Sequence, residues 1–192
     1  MNIVIIGGVA AGAKAAAKVK RLLPDASVKI YTRDTHVSYS SCGLPYYIQG
    51  NFTDYTALLV RSVEEFAQSG IEVYLNSNVE KILPIQKDIL VASSYNAELV
   101  PYDKLIIATG ASPVIPEIKG IKYFDNVYSV RTIEDGINIR NQMLKSKNAV
   151  IIGGGYIGIE LLEAFSKNGL NTHLFEKDSH IMPSLDSDIS LS

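Results

Sequence analysis

Two stretches of this 192-residue chain, one at its start and one near position 150, limit what it can fold into more than anything else. Each is a short β-branched run that ends on glycines and passes at once into helical sequence. The later one is the fuller. Asn148–Ile152 (NAVII) leads into Gly153-Gly154-Gly155-Tyr156-Ile157-Gly158, then a helical stretch to Gly169 and a strand-like run Thr172–Phe175 that finishes on Glu176. Strand, G-x-G-x-x-G turn, helix, strand and terminal acid make the βαβ unit that sets a dinucleotide pyrophosphate on a helix N-terminus. Gly153, Gly155, Ile157 and Gly158 are the expected turn contacts. Glu176 is the expected acceptor for the ribose 2′-hydroxyl, and its charge repels a 2′-phosphate. NADH is therefore favoured over NADPH, with Lys177 alongside as the one opposing charge.

The earlier stretch repeats the pattern less completely. Asn2–Ile6 (NIVII) precedes Gly7-Gly8-Val9-Ala10-Ala11-Gly12, a helix to about Leu23, a Pro24-Asp25 turn and a second strand, Val28–Thr32. Val9 occupies the second glycine position, and Thr32 stands near where an acid is expected, with Arg33 and Asp34 next. This unit is either a second dinucleotide site, contacted by residues 7–12 and by Thr32, Arg33 and Asp34, or a tight strand–helix packing turn. Further on, Ser62-Val63-Glu64-Glu65 is a capping box that opens a short helix closed by Gly70. A strand at Ile71–Leu75 and a hairpin of Val79–Leu83 with Ile89–Ala92 follow. The buried strand in YDKLIIATGA ends on Thr109-Gly110, either a point of backbone approach to a ligand or simply a tight turn. Pro113 and Pro116 mark a boundary, and Thr132 starts a helix to about Leu144. The expected fold is α/β, with two Rossmann-like domains at 1–112 and 113–192, both incomplete on their C-terminal side.

The one cysteine, Cys42, lies in Ser38-Tyr39-Ser40-Ser41-Cys42-Gly43-Leu44-Pro45-Tyr46-Tyr47. Ser38 and Ser41 are possible caps for a helix start, and a helix start favours the reactive thiolate. The alternative is a small buried hydrophobe. Lys14, Lys18 and Arg21 share one helix face, either as a solvated stripe or as an anion site for a phosphate-bearing substrate. A net charge of −2 points to neither nucleic acid nor an anionic membrane. Strand-like sequence from Asn2 leaves no room for a signal peptide, and no apolar run is long enough to span a bilayer. A lone cysteine fits a reducing compartment, so a cytoplasmic protein without a metal site is expected.

Two dinucleotide turns with a cysteine between them, and in particular SYSSCGLPY, YDKLIIATGASP and GGGYIGIE, resemble the FAD- and pyridine-nucleotide-dependent disulfide oxidoreductases. They resemble most the single-cysteine branch, which holds coenzyme A-disulfide reductases, NADH oxidases and peroxidases, and persulfide or polysulfide reductases. The resemblance implies that Gly7, Gly8, Val9, Ala10, Ala11 and Gly12 form the FAD pyrophosphate turn, with Thr32, Arg33, Asp34, Ser41, Val79, Thr109 and Gly110 as further FAD-side contacts. It implies that Tyr156 covers the flavin until nicotinamide displaces it, that Glu160 sits nearby, and that Cys42 is the redox sulfur. Lys14, Lys18, Arg21 and Ser38 would hold the substrate. Ala10 replaces the histidine typical of the oxidases and peroxidases, which favours the reductases. Ser41 stands where the coenzyme A-disulfide reductases commonly have Asn.

The implied activity is NAD(P)H-dependent, FAD-mediated reduction of coenzyme A disulfide, a persulfide or a polysulfide. The alternatives are oxygen or peroxide reduction through a Cys42 sulfenate, or a nucleotide-binding fragment without turnover. The family pattern places the returning FAD strands and a dimerisation domain beyond Ser192. A homodimer is therefore expected of the complete protein, and weak or absent FAD binding of this chain alone.

Overall fold

The computed structural model describes residues 1–92, 97–183 and 185–186. In chain order the elements are β1 (Asn2–Ile6), α1 (Ala10–Leu22), β2 (Ser27–Tyr31), α2 (Leu44–Gln49), α3 (Val63–Gln68) and β3 (Ile71–Tyr74). Then come β4 (Asn78–Leu83), β5 (Asp88–Ala92), β6 (Ala97–Pro101), β7 (Lys104–Ile107), α4 (Ile133–Met143), β8 (Asn148–Ile152), α5 (Tyr156–Lys167) and β9 (Asn171–Phe175). They divide into two units, Met1–Ser40 with Leu58–Ser112, and Ser41–Ala57 with Pro113–Ser192. The segment 41–57, read from sequence as part of the first domain, groups with the second.

In the first unit a parallel sheet runs β3-β2-β1-β7. Ile3, Val4, Ile5 and Ile6 are all buried, as an apolar run in a strand covered on both faces must be. Ile3 and Ile5 pack with Ala13 and Ala16 of α1, Val28 and Ile30 of β2, and Phe66 of α3. The alternate residues Val4 and Ile6 face the other way, with Tyr31, onto Ile89, Val91 and Val100. Those three come from an antiparallel sheet, β4-β5-β6, that covers this face. The expected hairpin is present as β4 and β5. The third strand, β6, was not foreseen, because AELVP alternates too weakly to read as a strand. Tyr31 and Tyr74 stack with centroids 4.6 Å apart, and the Tyr74 hydroxyl donates to Glu72 Oε2 at 2.6 Å.

In the second unit β8 pairs β9 in parallel, in the register Asn148↔Asn171 to Ile152↔Phe175. Leu161 and Ala164 of α5 and Ile133, Ile139 and Met143 of α4 are buried. A cavity of about 970 Å³ opens in this unit, lined among others by Ile139, Val150, Ile152, Tyr156, Leu161 and Phe165. None of its lining side chains is charged. Among the described residues no helix is long and apolar enough to cross a membrane.

Candidate dinucleotide sites and the cysteine segment

The two glycine turns share the geometry of their first and last glycines. Gly7 has φ +99° and Gly153 φ +106°, a region open to glycine and strained for other residues. A Cβ on Gly12 would stand 1.8 Å from the Gly7 carbonyl oxygen, and one on Gly158 would stand 2.0 Å from that of Gly153. In both turns the last glycine therefore lets the helix start against the carbonyl of the first. Gly155, by contrast, would meet nothing within 4 Å. Its missing side chain leaves open space in front of the backbone, where a ligand can approach.

The helix starts divide into two kinds. Both α3 and α4 carry complete capping boxes, Ser62 with Glu65 and Thr132 with Asp135, and acids in their first turns. Neither α1 nor α5 has a side-chain cap or an acid in its first turn. Their first-turn N–H groups carry no side-chain cap, which suits a bound diphosphate. The residues at both turns thus fit a dinucleotide on backbone and charge grounds alike.

Around the first turn the structure gathers several of the expected residues. A Cβ on Gly7 would strike Ala108 O at 2.2 Å and come within 3.3 Å of Thr109 Cα, so the β7 end and the turn are neighbours. Thr109 and Gly110 are exposed there, and Gly110 has φ +69°. Ala10 and Ala11 are exposed as well. Thr32 is buried, its methyl lies near Gly8, and its Oγ1 accepts the Asp34 N–H at 3.4 Å. Arg33 is exposed and Asp34 half-buried. Ser38 donates its backbone N–H to Gly8 O at 2.8 Å. Val79 packs against the cluster containing Val4, Ile6 and Tyr31. Lys14, Lys18 and Arg21 are all exposed along α1.

At the second turn Glu176 is drawn inward by its own chain. Its Oε2 accepts the Gly154 N–H at 2.6 Å, and its Oε1 accepts the N–H groups of Lys177 (2.7 Å) and Asp178 (3.0 Å). The Asp178 bond first, then the Gly154 bond, holds its carboxyl below the usual carboxylate range. An ionised carboxylate is thereby fixed at the end of β9, beside the turn. Tyr156 and Ile157 are exposed, and Glu160 is half-buried one turn further along α5.

Cys42 is exposed, in the short 3₁₀ turn Ser41–Gly43 that precedes α2. The reading of it as a buried hydrophobe is excluded. The expected caps are corrected too: Gly43 is the N-cap residue of α2, and no side chain caps it. Ser38 is held instead in left-handed backbone, with φ +51°. Pro45, at the first turn of α2, was the stronger signal for this helix start. Sequence reasoning missed what secures α2. Its partners Gly136, Arg140 and Asn168 lie more than 90 residues away in sequence, and only an interior glycine in α4 hinted at close packing there.

Comparison with known proteins agrees with this geometry. An NAD(P)H coenzyme A polysulfide/persulfide reductase from Pyrococcus horikoshii is 37% identical over 187 residues, which is 94% of this chain and 40% of that protein. Reduced Bacillus anthracis CoADR-RHD superposes with a TM-score of 0.95 at 33% identity, covering 98% of this chain and 35% of that one. A water-forming NADH oxidase from Lactobacillus brevis, bound to NADH, gives 0.94 at 32% identity over 99% of this chain and 43% of that one. The chain thus spans about two-fifths of the curated relatives it matches. The family model for pyridine nucleotide-disulphide oxidoreductases matches residues 1–191. With both turns, their uncapped helices and an exposed cysteine in place, the chain belongs to the pyridine nucleotide-disulphide oxidoreductase family.

Proposed function

We propose that this chain carries the coenzyme turns and the redox thiol of an FAD-dependent NAD(P)H:disulfide oxidoreductase acting on coenzyme A disulfide or on a persulfide or polysulfide. The observation that carries the reading is an exposed single cysteine in a chain with two uncapped glycine-turn helices. Gly7–Gly12, Thr109 and Gly110 would hold FAD, and Gly153–Gly158 would hold the nicotinamide coenzyme. When bound, FAD supplies the two-electron relay between coenzyme and sulfur.

The chain's own part is nucleophilic. Cys42 thiolate attacks one sulfur of a disulfide RSSR, forms a mixed disulfide and releases one thiolate. Two electrons from NAD(P)H then cleave the mixed disulfide, release the second thiol and restore the Cys42 thiolate. In sum, RSSR, NAD(P)H and one proton give two thiols and NAD(P)⁺. The lone cysteine of this chain forbids a cystine within it, so the oxidised state is a mixed disulfide, a persulfide or a sulfenate. The carboxylate of Glu176 favours NADH, because a 2′-phosphate would meet its charge. Lys14, Lys18 and Arg21 offer an exposed cationic stripe for the substrate's phosphates.

In the complete protein, replacing Cys42 with Ser should abolish disulfide-dependent NADH oxidation and leave flavin binding intact. Turnover that survives the replacement rejects the mechanism. The second reading is NADH oxidase chemistry through a Cys42 sulfenate, favoured by the 34% identity to an Enterococcus faecalis NADH oxidase. Thiol formed per NADH consumed, with and without oxygen, separates the two. One disulfide reduced per NADH under argon supports the first.

A further inference from the structure

α2 is only six residues long, too short to hold its own conformation. It is held by α4 and α5, with α4 touching both of its ends. At the first residue, Leu44 Cδ2 lies where a Cβ on Gly136 would be only 2.9 Å away, so the bare glycine lets Leu44 pack closely there. One turn further along α4, the Arg140 guanidinium donates to Tyr47 O and reaches Ile48 O at 3.4 Å. It also lies 5.2 Å from the Tyr47 ring centroid. The same group sits against Gly50, the left-handed C-cap, where a Cβ would meet Nη1 at 3.2 Å. From α5, Asn168 Nδ2 adds a bond to Gln49 O at 2.8 Å. Tyr47 O also accepts the Gly50 N–H at 3.1 Å, while Ile48 O and Gln49 O, at the helix end, are met by the side chains of Arg140 and Asn168. Cys42 stands two residues before this clamped helix, within the 3₁₀ turn that runs straight into it.

We propose that Arg140 is a positioning residue. By gripping the C-terminal carbonyls of α2 while Gly136 receives Leu44, it fixes the direction in which Cys42 presents its thiol. Arginine suits the task, since its Nη1 faces both carbonyls while the guanidinium lies over the Tyr47 ring. Lysine would keep the charge and a donor but not the planar group that lies over Tyr47. The inference rests on the reading of Cys42 as the reacting thiol, and the test below separates the two.

Arg140→Ala and Arg140→Lys are made in this chain for the first readout and in the complete FAD-loaded protein for the second, with Asn168→Ala as a milder variant should the first fail to fold. The first readout is the second-order rate of Cys42 alkylation by iodoacetamide, clean because the chain has one cysteine. In Arg140→Ala that rate is expected to change by at least about threefold, and in Arg140→Lys by less, because a misdirected thiol meets the reagent differently. The second readout is disulfide turnover. Its kcat is expected to fall by about 10–100-fold, the range for a reacting group displaced by up to an ångström, while the KM for NADH stays within twofold. Folded variants with unchanged alkylation and unchanged kcat overturn the proposal. So does a parallel loss of NADH affinity, which would mean general damage to the nucleotide unit. Cys42→Ser is assayed alongside. If it keeps disulfide turnover, the functional reading fails, and the alkylation rates still decide whether Arg140 positions the thiol.

Discussion

Gly155 and Gly158 stand three residues apart in one turn, yet alanine at each tests a different thing. A Cβ on Gly158 would lie 2.0 Å from the Gly153 carbonyl oxygen and 3.1 Å from its carbon. Relief requires a main-chain displacement of about 1 Å, since carbon and oxygen cannot approach within about 3 Å without bonding. No side chain is available to rotate away. Overpacking against backbone belongs at the upper end of its range, about 3 kcal/mol, and alanine's better helix propensity returns about 1, leaving a net loss of about 2 kcal/mol. Gly155 is different. Its φ of −76° and ψ of −175° suit any residue, and a Cβ there meets nothing within 4 Å. The poorer N-cap and the stiffer unfolded chain roughly offset each other, so stability should stay within about 0.5 kcal/mol.

The Gly155 methyl does, however, fill the space where the coenzyme backbone would come. A steric cost of about 1–3 kcal/mol corresponds to a roughly 5- to 150-fold loss in NADH affinity. Urea unfolding followed by circular dichroism, and NADH titration followed by calorimetry, measure the two effects separately. The expected result is a double dissociation: Gly158→Ala unfolds at lower urea, whereas Gly155→Ala unfolds normally and binds NADH poorly. Wild-type affinity in Gly155→Ala, or wild-type stability in Gly158→Ala, would refute the account of the turn.

Three further outcomes are expected. Thr132→Ala removes the oxygen that accepts the Asp135 N–H at 3.2 Å, and should cost about 0.5–2 kcal/mol in urea unfolding; no measurable change would mean that this cap is idle. Glu176 has a folded pKa below its ordinary 4.5, so its bonds contribute fully above that pH and are lost as pH falls through the lower folded value. The difference in urea midpoint between wild type and Glu176→Gln should then be constant near neutrality and shrink under acid, and a difference independent of pH refutes this. Tyr74 is pushed up to about 12, first by its hydrogen bond to Glu72 and then by burial, and Tyr31 is raised further, chiefly by burial. The stability they add is present below pH 10 and disappears as pH rises toward 12. Ultraviolet titration should show a late tyrosinate step coupled to unfolding, and a single step near pH 10 with the fold intact contradicts it.

What the sequence disclosed was local. Strand, glycine and helix follow one another within twenty residues in each unit, so NIVII-GG and NAVII-GGG declared the two βαβ halves before any contact was known. The capping boxes at Ser62 and Thr132 were legible for the same reason, since N-cap and N3 are fixed neighbours. What stayed hidden depends on distant partners. Nothing near Cys42 announces that Leu44–Gln49 pack against a helix beginning at Ile133. Ser38 looked like a cap because serine commonly is one; its left-handed backbone is set by bonds to Gly8 and Val60, which no local pattern encodes. Glu176 was legible by its spacing from the turn, but its three backbone donors were not.

The uncharged cavity beside β8 has a practical consequence at the bench. Dyes such as anilinonaphthalene sulfonate brighten on entering apolar, water-poor recesses, and their fluorescence is routinely taken as a sign of a loosened fold. A recess of about 970 Å³ without one charged side chain offers them a berth in the native chain. Bright dye at neutral pH would therefore say nothing about misfolding here, and quality control of preparations should rest on near-ultraviolet dichroism instead.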